Sequence, residues 1–339
     1  MEVIAPPRPL RVEDASQVPQ ARRTATHLAE ELGFDATGAA NVALVITEIG
    51  TNIIKHGGTG QILINPLSRG EVRGIEIVGI DRGQGIADLE RSLRDGYSTA
   101  GSSGTGLGAI RRLSAAFEVF SASGQGTAVL ARLWATPLPS PQRGPRVAIG
   151  FAGAAQAGES VSGDGWAVVQ SADRTVVLLV DGLGHGVVAA NAAREAVRLF
   201  HDNVRHAPGV IVQALHDGLR GTRGAAVAVS EIAPDRGLVK YAGVGNICAA
   251  IVTPRSRRHL ISHNGTAGHA VRRIDEFTYP WPKDAVLVEH TDGLGTHWDL
   301  DRYPGLMTRS PGLIAAVLYR DFNRGRDDVS VLAATESHE

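Results

Sequence analysis

The chain of 339 residues has a single cysteine, Cys248. One cysteine excludes a disulfide framework and a thiolate zinc site, and its place in the apolar run ICAAIV reads as a small buried hydrophobe. Phe, Trp and Tyr make up only 5% of the residues, which weakens any proposal of base stacking. Neither sign of charge dominates, with 34 Lys and Arg against 35 Asp and Glu, so there is no electrostatic footprint for nucleic acid or an anionic membrane surface. Residues 1–10, MEVIAPPRPL, lack a basic start and an uninterrupted apolar core, and no stretch reads as approaching the roughly 18 apolar residues of a membrane span. The expectation is a cytoplasmic protein without nucleic-acid or membrane partners, of a length that suits two domains.

Glycine, by contrast, is plentiful at 41 residues, and several glycines follow an acid that closes an apolar run. Val176 to Gly186, VVLLVDGLGHG, stops at Asp181. Five apolar residues in a row read as a strand buried on both faces, and the glycines after them as a tight turn where backbone comes close to something. A carboxylate at the end of a core strand is costly unless a cation, an arginine or a metal neutralises it. No Lys or Arg lies between Val176 and Gly186, so a metal is the partner to look for, and Val286 to Gly295, VLVEHTDGLG, repeats the device at Asp292.

In the first half, Leu10 and Val12 read as a short strand, and Ser16 as the cap of a helix running through Leu32. From Ala39 to His56, Val42, Val45, Ile46, Ile49 and Ile53 form one helical stripe, which Gly57 and Gly58 end. On the other side Glu48 and Asn52 are i,i+4 neighbours, with Lys55 and His56 one turn on; a solvated helix face is the plain alternative. Arg73 to Ile80 alternates like a strand and delivers Asp81 into DRGQGI. The Gly/Ser-rich stretch Arg91 to Gly108 feeds a helix from Ala109, offering backbone N–H groups and a positive helix end to phosphate. It is neither a Walker loop nor a Rossmann fingerprint. Strands Phe117–Ser121 and Thr127–Trp134 close the unit.

Glu48-x-x-x-Asn52, Asp81-x-Gly83-x-Gly85 and Gly104-x-Gly106-x-Gly108, in this order, resemble the N box and the two glycine boxes of the GHKL (Bergerat-fold) ATP-binding superfamily. More narrowly, TEIGTNIIKHGG, DGYST and GQGTAV are similar to the RsbT-type serine kinases and anti-sigma-factor kinases, over roughly residues 8–134. The resemblance implies ATP and Mg2+ as cofactors. Asp81 would accept the adenine amino group while Gly83 and Gly85 let the base approach. Asn52 would hold Mg2+, Gly104, Gly106, Leu107 and Gly108 would form the lid over the phosphates, and Thr127 would support the adenine or phosphate edge. Lys55 would add a phosphate contact, and Glu48 would take the proton from a substrate serine.

Thr136 to Pro145, TPLPSPQRGP, holds four prolines and reads as a linker. The domains expected are therefore 1–135, a linker 136–146, and 147–336. Beyond the linker, acids again abut apolar runs: Asp164 in Gly-Asp-Gly, Asp181, Asp292, and Asp327 with Asp328 in RDDVSVLAA. Any one Asp-Gly is ordinarily a turn, but several oxygen ligands without His or Cys partners favour Mg2+ or Mn2+ over zinc. DGLGHG, LRGTRGAAVAV, YAGVGNI and TDGL resemble the SpoIIE/RsbX branch of the metal-dependent serine/threonine protein phosphatases, over roughly 147–335.

That resemblance implies two ions, Mn2+ or Mg2+, with Asp181 bridging them and catalytic. Asp164 and the Gly182 carbonyl would serve one ion, and Asp292 and Asp327 the other, Asp328 being the lesser candidate. The arginine that clamps phosphate in eukaryotic members has no clear counterpart before Asp164. His185 stays open between a proton donor and a turn residue.

The fold class expected is α+β, a GHKL α/β sandwich followed by a phosphatase ββ sandwich flanked by helices. The two resemblances together imply a bifunctional kinase and phosphatase acting on STAS-domain proteins in a bacterial partner-switching pathway, stressosome or sigma-factor. A sigma-factor regulator or a downstream phosphatase is a further partner, and a homodimer stays open. The alternative is a phosphatase whose N-terminal ATP-binding domain only binds a partner.

Overall fold

A computed structural model of the chain describes residues 2–3, 9–86, 89, 106–138, 146–171 and 173–337. It divides into two compact units, Arg8–Ser140, and Met1–Pro7 with Pro141–Glu339. The two-residue strand β1 (Glu2–Val3) belongs to the second of these.

The first unit is a five-stranded antiparallel sheet in the order β2-β3-β4-β6-β5, built from β2 (Leu10–Val12), β3 (Gly60–Arg69), β4 (Val72–Asp81), β5 (Ala116–Ser121) and β6 (Thr127–Trp134). Two long helices, α1 (Gln17–Glu31) and α2 (Ala36–Asn52), share one core with it. Ser16 stands at the α1 N-cap, but its hydroxyl donates to Asp14 rather than capping the helix. Asp35 is the working cap of α2, its Oδ1 accepting the Gly38 amide at 2.7 Å. Val42, Val45, Ile46 and Ile49 of the predicted stripe are all buried against the sheet.

The helix expected to run to His56 changes pitch first. Ile53–Gly57 form a π turn carrying Lys55 and His56, closed by Gly58 at φ 73°. Such a turn widens the helix by one residue and recurs at functional sites. Residues Ala36–Gly57 are also long and apolar enough, by composition, to cross a membrane, with mean hydropathy 1.2. The segment is not a run of some 18 apolar residues, since Asn41, Glu48, Asn52 and Lys55 interrupt it, and its apolar stripe is packed into the core. A third helix, α3 (Gly106–Leu113), begins three residues ahead of the expected Ala109 and ends where Ser114 Oγ turns back to the Ile110 carbonyl at 2.7 Å.

The second unit is a β-sandwich. One sheet has the order β1-β8-β9-β10-β11-β14 and the other β13-β12-β15-β16-β7, all pairs antiparallel. Its strands are β7 (Val147–Ala154), β8 (Asp164–Gln170), β9 (Thr175–Gly182), β10 (Ala225–Ala233), β11 (Leu238–Val244), β12 (Cys248–Thr253), β13 (Ser256–His259), β14 (Phe277–Pro280), β15 (Val286–His290) and β16 (Val329–Glu336). The run VVLLV is buried on both faces as expected. Val177 and Leu179 enter the core between the sheets with Phe151 stacked on Trp166 at 4.8 Å. Val176, Leu178 and Val180 point the other way, to α4 (Gly186–Asn203) and α5 (Pro208–Gly218). On the outer side of the second sheet, α6 (Pro311–Phe322) packs on β7 and β16.

Candidate functional site

In the first unit the ends of α2, β4 and β6 and the start of α3 come together. Asp81 closes β4 and is buried, and its Oδ1 accepts the Gly83 amide at 2.8 Å and the Thr127 amide at 3.3 Å. Ser121, which in the sequence is marked only as a strand end, locks this corner. Its Oγ accepts the Ile86 amide at 2.8 Å, donates to the Gly126 carbonyl at 3.0 Å and lies 3.0 Å from the Thr127 hydroxyl. The turn between β5 and β6 is thereby tied to DRGQGI, an attachment completed by the Gly124 amide on the Gln84 carbonyl at 2.8 Å.

The glycines here answer to the protein's own backbone. A side chain on Gly83 would run into the His56 carbonyl, and one on Gly85, at φ 72°, into that of Ala122.

Glu48 and Asn52 lie on the same side of α2, as their spacing predicts, and α3 is set against them. A Cβ on Gly106 would stand 3.1 Å from Glu48 Oε2 and 3.3 Å from Asn52 Oδ1. The second glycine motif thus meets the N box, although the two are more than fifty residues apart in sequence. Asn52 Nδ2 is buried without a hydrogen-bond partner. An orphaned buried amide is costly, and turned over it offers its oxygen at the same place. Gly108 is buried at the start of α3, Leu107 packs on the core of the unit, and Lys55 and His56 are exposed on the π turn. Gly104 and most of the stretch expected to form the lid lie outside the described residues.

In the second unit the acids gather at one end of the sandwich. Asp164 opens β8 directly opposite Asp181 on β9, a pairing of like charges that a sheet disfavours. Asp164 is buried; its Oδ2 accepts the Thr291 hydroxyl at 2.8 Å, whereas its Oδ1 is buried with no partner. Thr291 is itself fixed by the Ser330 amide at 3.0 Å. Asp181, Asp292 and Asp327 line one cleft of about 390 Å³, together with Leu183, Gly184 and Asn246 among others. Asn246 Nδ2 donates to Asp292 Oδ2 at 2.7 Å. Gly182 sits in close backbone packing, its amide on the Gly163 carbonyl at 3.1 Å.

Of the acid pair 327–328, the second is engaged elsewhere. Asp328 accepts the Gln156 amide at 2.7 Å and the Gly163 amide at 2.6 Å, clasping the loop that leads into Asp164. Asp327 is exposed at the cleft. His185 stands at the α4 N-cap position with Nδ1 2.6 Å from Glu159 Oε1. Thr291 and Asn246 fall within TDGL and YAGVGNI but are not marked there as site residues, and nothing local distinguishes Glu159.

The electrostatics follow from crowding carboxylates at a partly buried strand end. Burial first, then the charges of Asp292, Asp327 and Asp328, push Asp181 up to about 7. Burial and then Asp181 hold Asp164 well above the usual carboxylate range, against the Thr291 hydrogen bond. Burial and Asp327 raise Asp292, while the Arg324 charge and the Asn246 bond oppose the shift. Among the described residues no three His, Cys, Asp or Glu side chains are grouped closely enough to hold an ion as they stand. The donor set nevertheless fits a hard cation: oxygen ligands only, mutual repulsion, and an unsatisfied buried carboxylate oxygen.

The folds are those of a GHKL-type nucleotide-binding domain and of a PP2C-type phosphatase sandwich with flanking helices. Residues 12–133 match the family described as a histidine kinase-like ATPase domain, and residues 171–335 match stage II sporulation protein E (SpoIIE). Serine/threonine-protein kinase RsbT of Bacillus subtilis (strain 168) is 34% identical over 125 residues, which are 37% of this chain and 94% of that protein. RsbX in complex with magnesium is 18% identical with a TM-score of 0.52, over 59% of this chain and 99% of RsbX. The phosphatase domain of Bacillus subtilis SpoIIE, with a fragment of its regulatory domain, is 17% identical with a TM-score of 0.50, over 96% of this chain and 93% of that one. A further structure, described as "The bacterial stressosome: a modular system that has been adapted to control secondary messenger signaling", is 25% identical over 56% of this chain and 98% of its own, with a TM-score of 0.52. The chain belongs to the RsbT-like histidine kinase-like ATPase family through its first unit and carries a SpoIIE-type phosphatase domain as its second.

Proposed function

We propose that this chain is a bifunctional regulator of a bacterial partner-switching pathway, an ATP-dependent serine/threonine kinase joined to a metal-dependent phosphoserine/phosphothreonine phosphatase. Both activities act in the cytoplasm on STAS-domain proteins, with domains at 1–135 and 147–336 and a linker at 136–146. One observation carries this reading: an RsbT-like domain with its boxes brought together stands in one chain with a SpoIIE-type sandwich whose acids converge on a cleft. Writer and eraser on one chain raise each other's effective concentration at a shared substrate.

In the kinase half, Asp81 and Thr127 hold the adenine edge, with Gly83 and Gly85 forming the tight turn beneath it. Bound Mg2+, held by Asn52, would neutralise the charge that phosphoryl transfer displaces. The backbone from Gly106 to Gly108 would face the phosphates, with Lys55 a further contact for them; Gly104, given the same role, lies outside the described residues. Glu48, on the Asn52 side of α2, orients the acceptor hydroxyl and takes its proton.

In the phosphatase half, two ions of Mn2+ or Mg2+ would supply a deprotonated water and charge neutralisation at phosphate. Asp181 would hold them together with Asp164, the Gly182 carbonyl, Asp292 and Asp327, an all-oxygen set that suits hard cations. Thr291 orients Asp164, and Asn246 orients Asp292. Purified protein with Mn2+ is expected to release phosphate from a phosphoserine-bearing STAS protein, and Asp181→Asn to lower the rate by more than about 100-fold. Release that survives both that substitution and chelation would defeat the phosphatase reading.

A further inference from the structure

The cleft that holds Asp181, Asp292 and Asp327 is otherwise lined by neutral groups, among them Asn264 and Thr266. A phosphate group entering it meets no cationic side chain in that lining. One stands just beside it. Arg223 is exposed, and its Nη1 lies 3.1 Å from where a Cβ on Gly184 would be, Gly184 being part of the lining.

The main chain around Arg223 is fixed to the Asp181 turn. Ala225 is paired with Gly182, and the Leu183 amide donates to the Gly224 carbonyl at 3.0 Å. Thr222 Oγ1 donates to the Leu219 carbonyl at 2.7 Å and accepts the Gly224 amide at 2.9 Å, so the residues on either side of Arg223 are pinned. The guanidinium is not. Three arginines on neighbouring elements are engaged, Arg174 with Glu231, Arg198 with Glu195 and Asp202, and Arg220 with Asp217. Among the described residues Arg223 makes no ion pair. Arg324 lies by the Asp292 turn instead, its amide on the Gly293 carbonyl at 3.0 Å and its charge offsetting Asp292.

We infer that Arg223 is the group that grips the phosphate of a phosphoserine or phosphothreonine substrate, from the Gly184 side of the cleft. A guanidinium presents a planar fork of donors that matches two phosphate oxygens at once. Its fixed backbone and unpaired head suit it to reach over the Gly184 turn without first breaking another interaction. The inference rests on the phosphatase reading of the same site.

The test uses the full-length protein saturated with Mn2+, unsubstituted and as Arg223→Ala and Arg223→Lys. Titration calorimetry gives the affinity for inorganic phosphate and for Mn2+, and steady-state kinetics on a phosphoserine peptide give KM and kcat. Loss of a charge-assisted pair predicts that Arg223→Ala weakens phosphate binding and raises KM by about 10- to 100-fold, while Mn2+ affinity and kcat change by less than about threefold. Arg223→Lys, which keeps the charge but not the fork, should fall in between. Phosphate affinity and KM within about twofold of the unsubstituted protein in Arg223→Ala would overturn the inference. So would a parallel loss of Mn2+ affinity, which would make Arg223 a support for the metal turn. If the unsubstituted protein hydrolyses no phosphopeptide with Mn2+ or Mg2+, the phosphatase reading itself falls and the inference falls with it.

Discussion

Glu289 offers a sharp test of how the phosphatase sandwich is held together. It lies on β15 and is fully buried between the sheets, where Ser230 of β10 donates to its Oε1 and its Oε2 finds no partner. Burial pushes this carboxyl from 4.5 to about 7. A tenfold change in proton affinity corresponds to about 1.4 kcal/mol, so ionised Glu289 is penalised by about 3 kcal/mol in the folded state. The folded carboxyl holds its proton more tightly than the unfolded one. Its stabilising contribution is therefore complete below pH 4.5 and is lost as the pH rises through about 7.

Glu289→Gln keeps the shape and a hydrogen-bonding end but cannot ionise. Against the unsubstituted protein it should be nearly neutral near pH 4.5 and more stable by up to about 3 kcal/mol at about pH 8. For a unit of this size that is a rise in Tm of about 5–10 °C. Scanning calorimetry of both proteins in chelator across this pH range gives the difference directly. A Tm difference that does not change with pH, or one that turns against the Gln variant as pH rises, would refute the claim that burial holds this proton.

Two further comparisons separate roles that sequence alone leaves close. Asp328→Ala removes two backbone hydrogen bonds to a carboxylate and should destabilise the metal-free protein by about 3 kcal/mol, whereas exposed Asp327→Ala should change it by less than about 0.5 kcal/mol. In the presence of Mn2+ the order reverses in another measurement: Asp327→Ala should lose the ion-induced rise in Tm, and equal rises in that variant and the unsubstituted protein would remove Asp327 from the ligand set. Gly85→Ala places a Cβ at positive φ against the Ala122 carbonyl, so it should destabilise the first unit by about 2 kcal/mol or more and abolish binding of a fluorescent ATP analogue. Unchanged nucleotide affinity in that variant would detach the Asp81 turn from the nucleotide site.

Much of this is legible in the sequence because the chemistry sits where regular structure ends. VVLLV stopping at Asp181, and RGIEIVGI stopping at Asp81, are strand-end signals that need no tertiary information, and both acids lie where those runs place them. The α2 stripe is equally plain, since Val42, Val45, Ile46 and Ile49 recur at helical spacing. The π turn at Ile53–Gly57 is not, because it depends on Gly57 and His56 packing against the Asp81 turn, contacts that the stripe does not encode. The helix α6 escapes notice for a related reason. Pro311–Phe322 is buried on nearly every side, so it lacks the polar face that marks an amphipathic helix. Long-range partners are beyond reach altogether: Asn246 with Asp292, Ser121 with Ile86, and Asp328 with Gln156 are joined only by the fold.

The most direct test of opposed activities on one chain is a transfer assay with labelled ATP, Mg2+ and Mn2+, and a STAS-domain protein, comparing the unsubstituted chain with Asp181→Asn and with Asp181→Asn combined with Glu48→Gln. The account predicts that label builds up on the STAS protein when Asp181 is replaced and disappears when Glu48 is replaced as well. Absence of label from every variant, with pre-phosphorylated STAS protein still dephosphorylated by the unsubstituted chain, would contradict it and leave the first unit a nucleotide-dependent binding module.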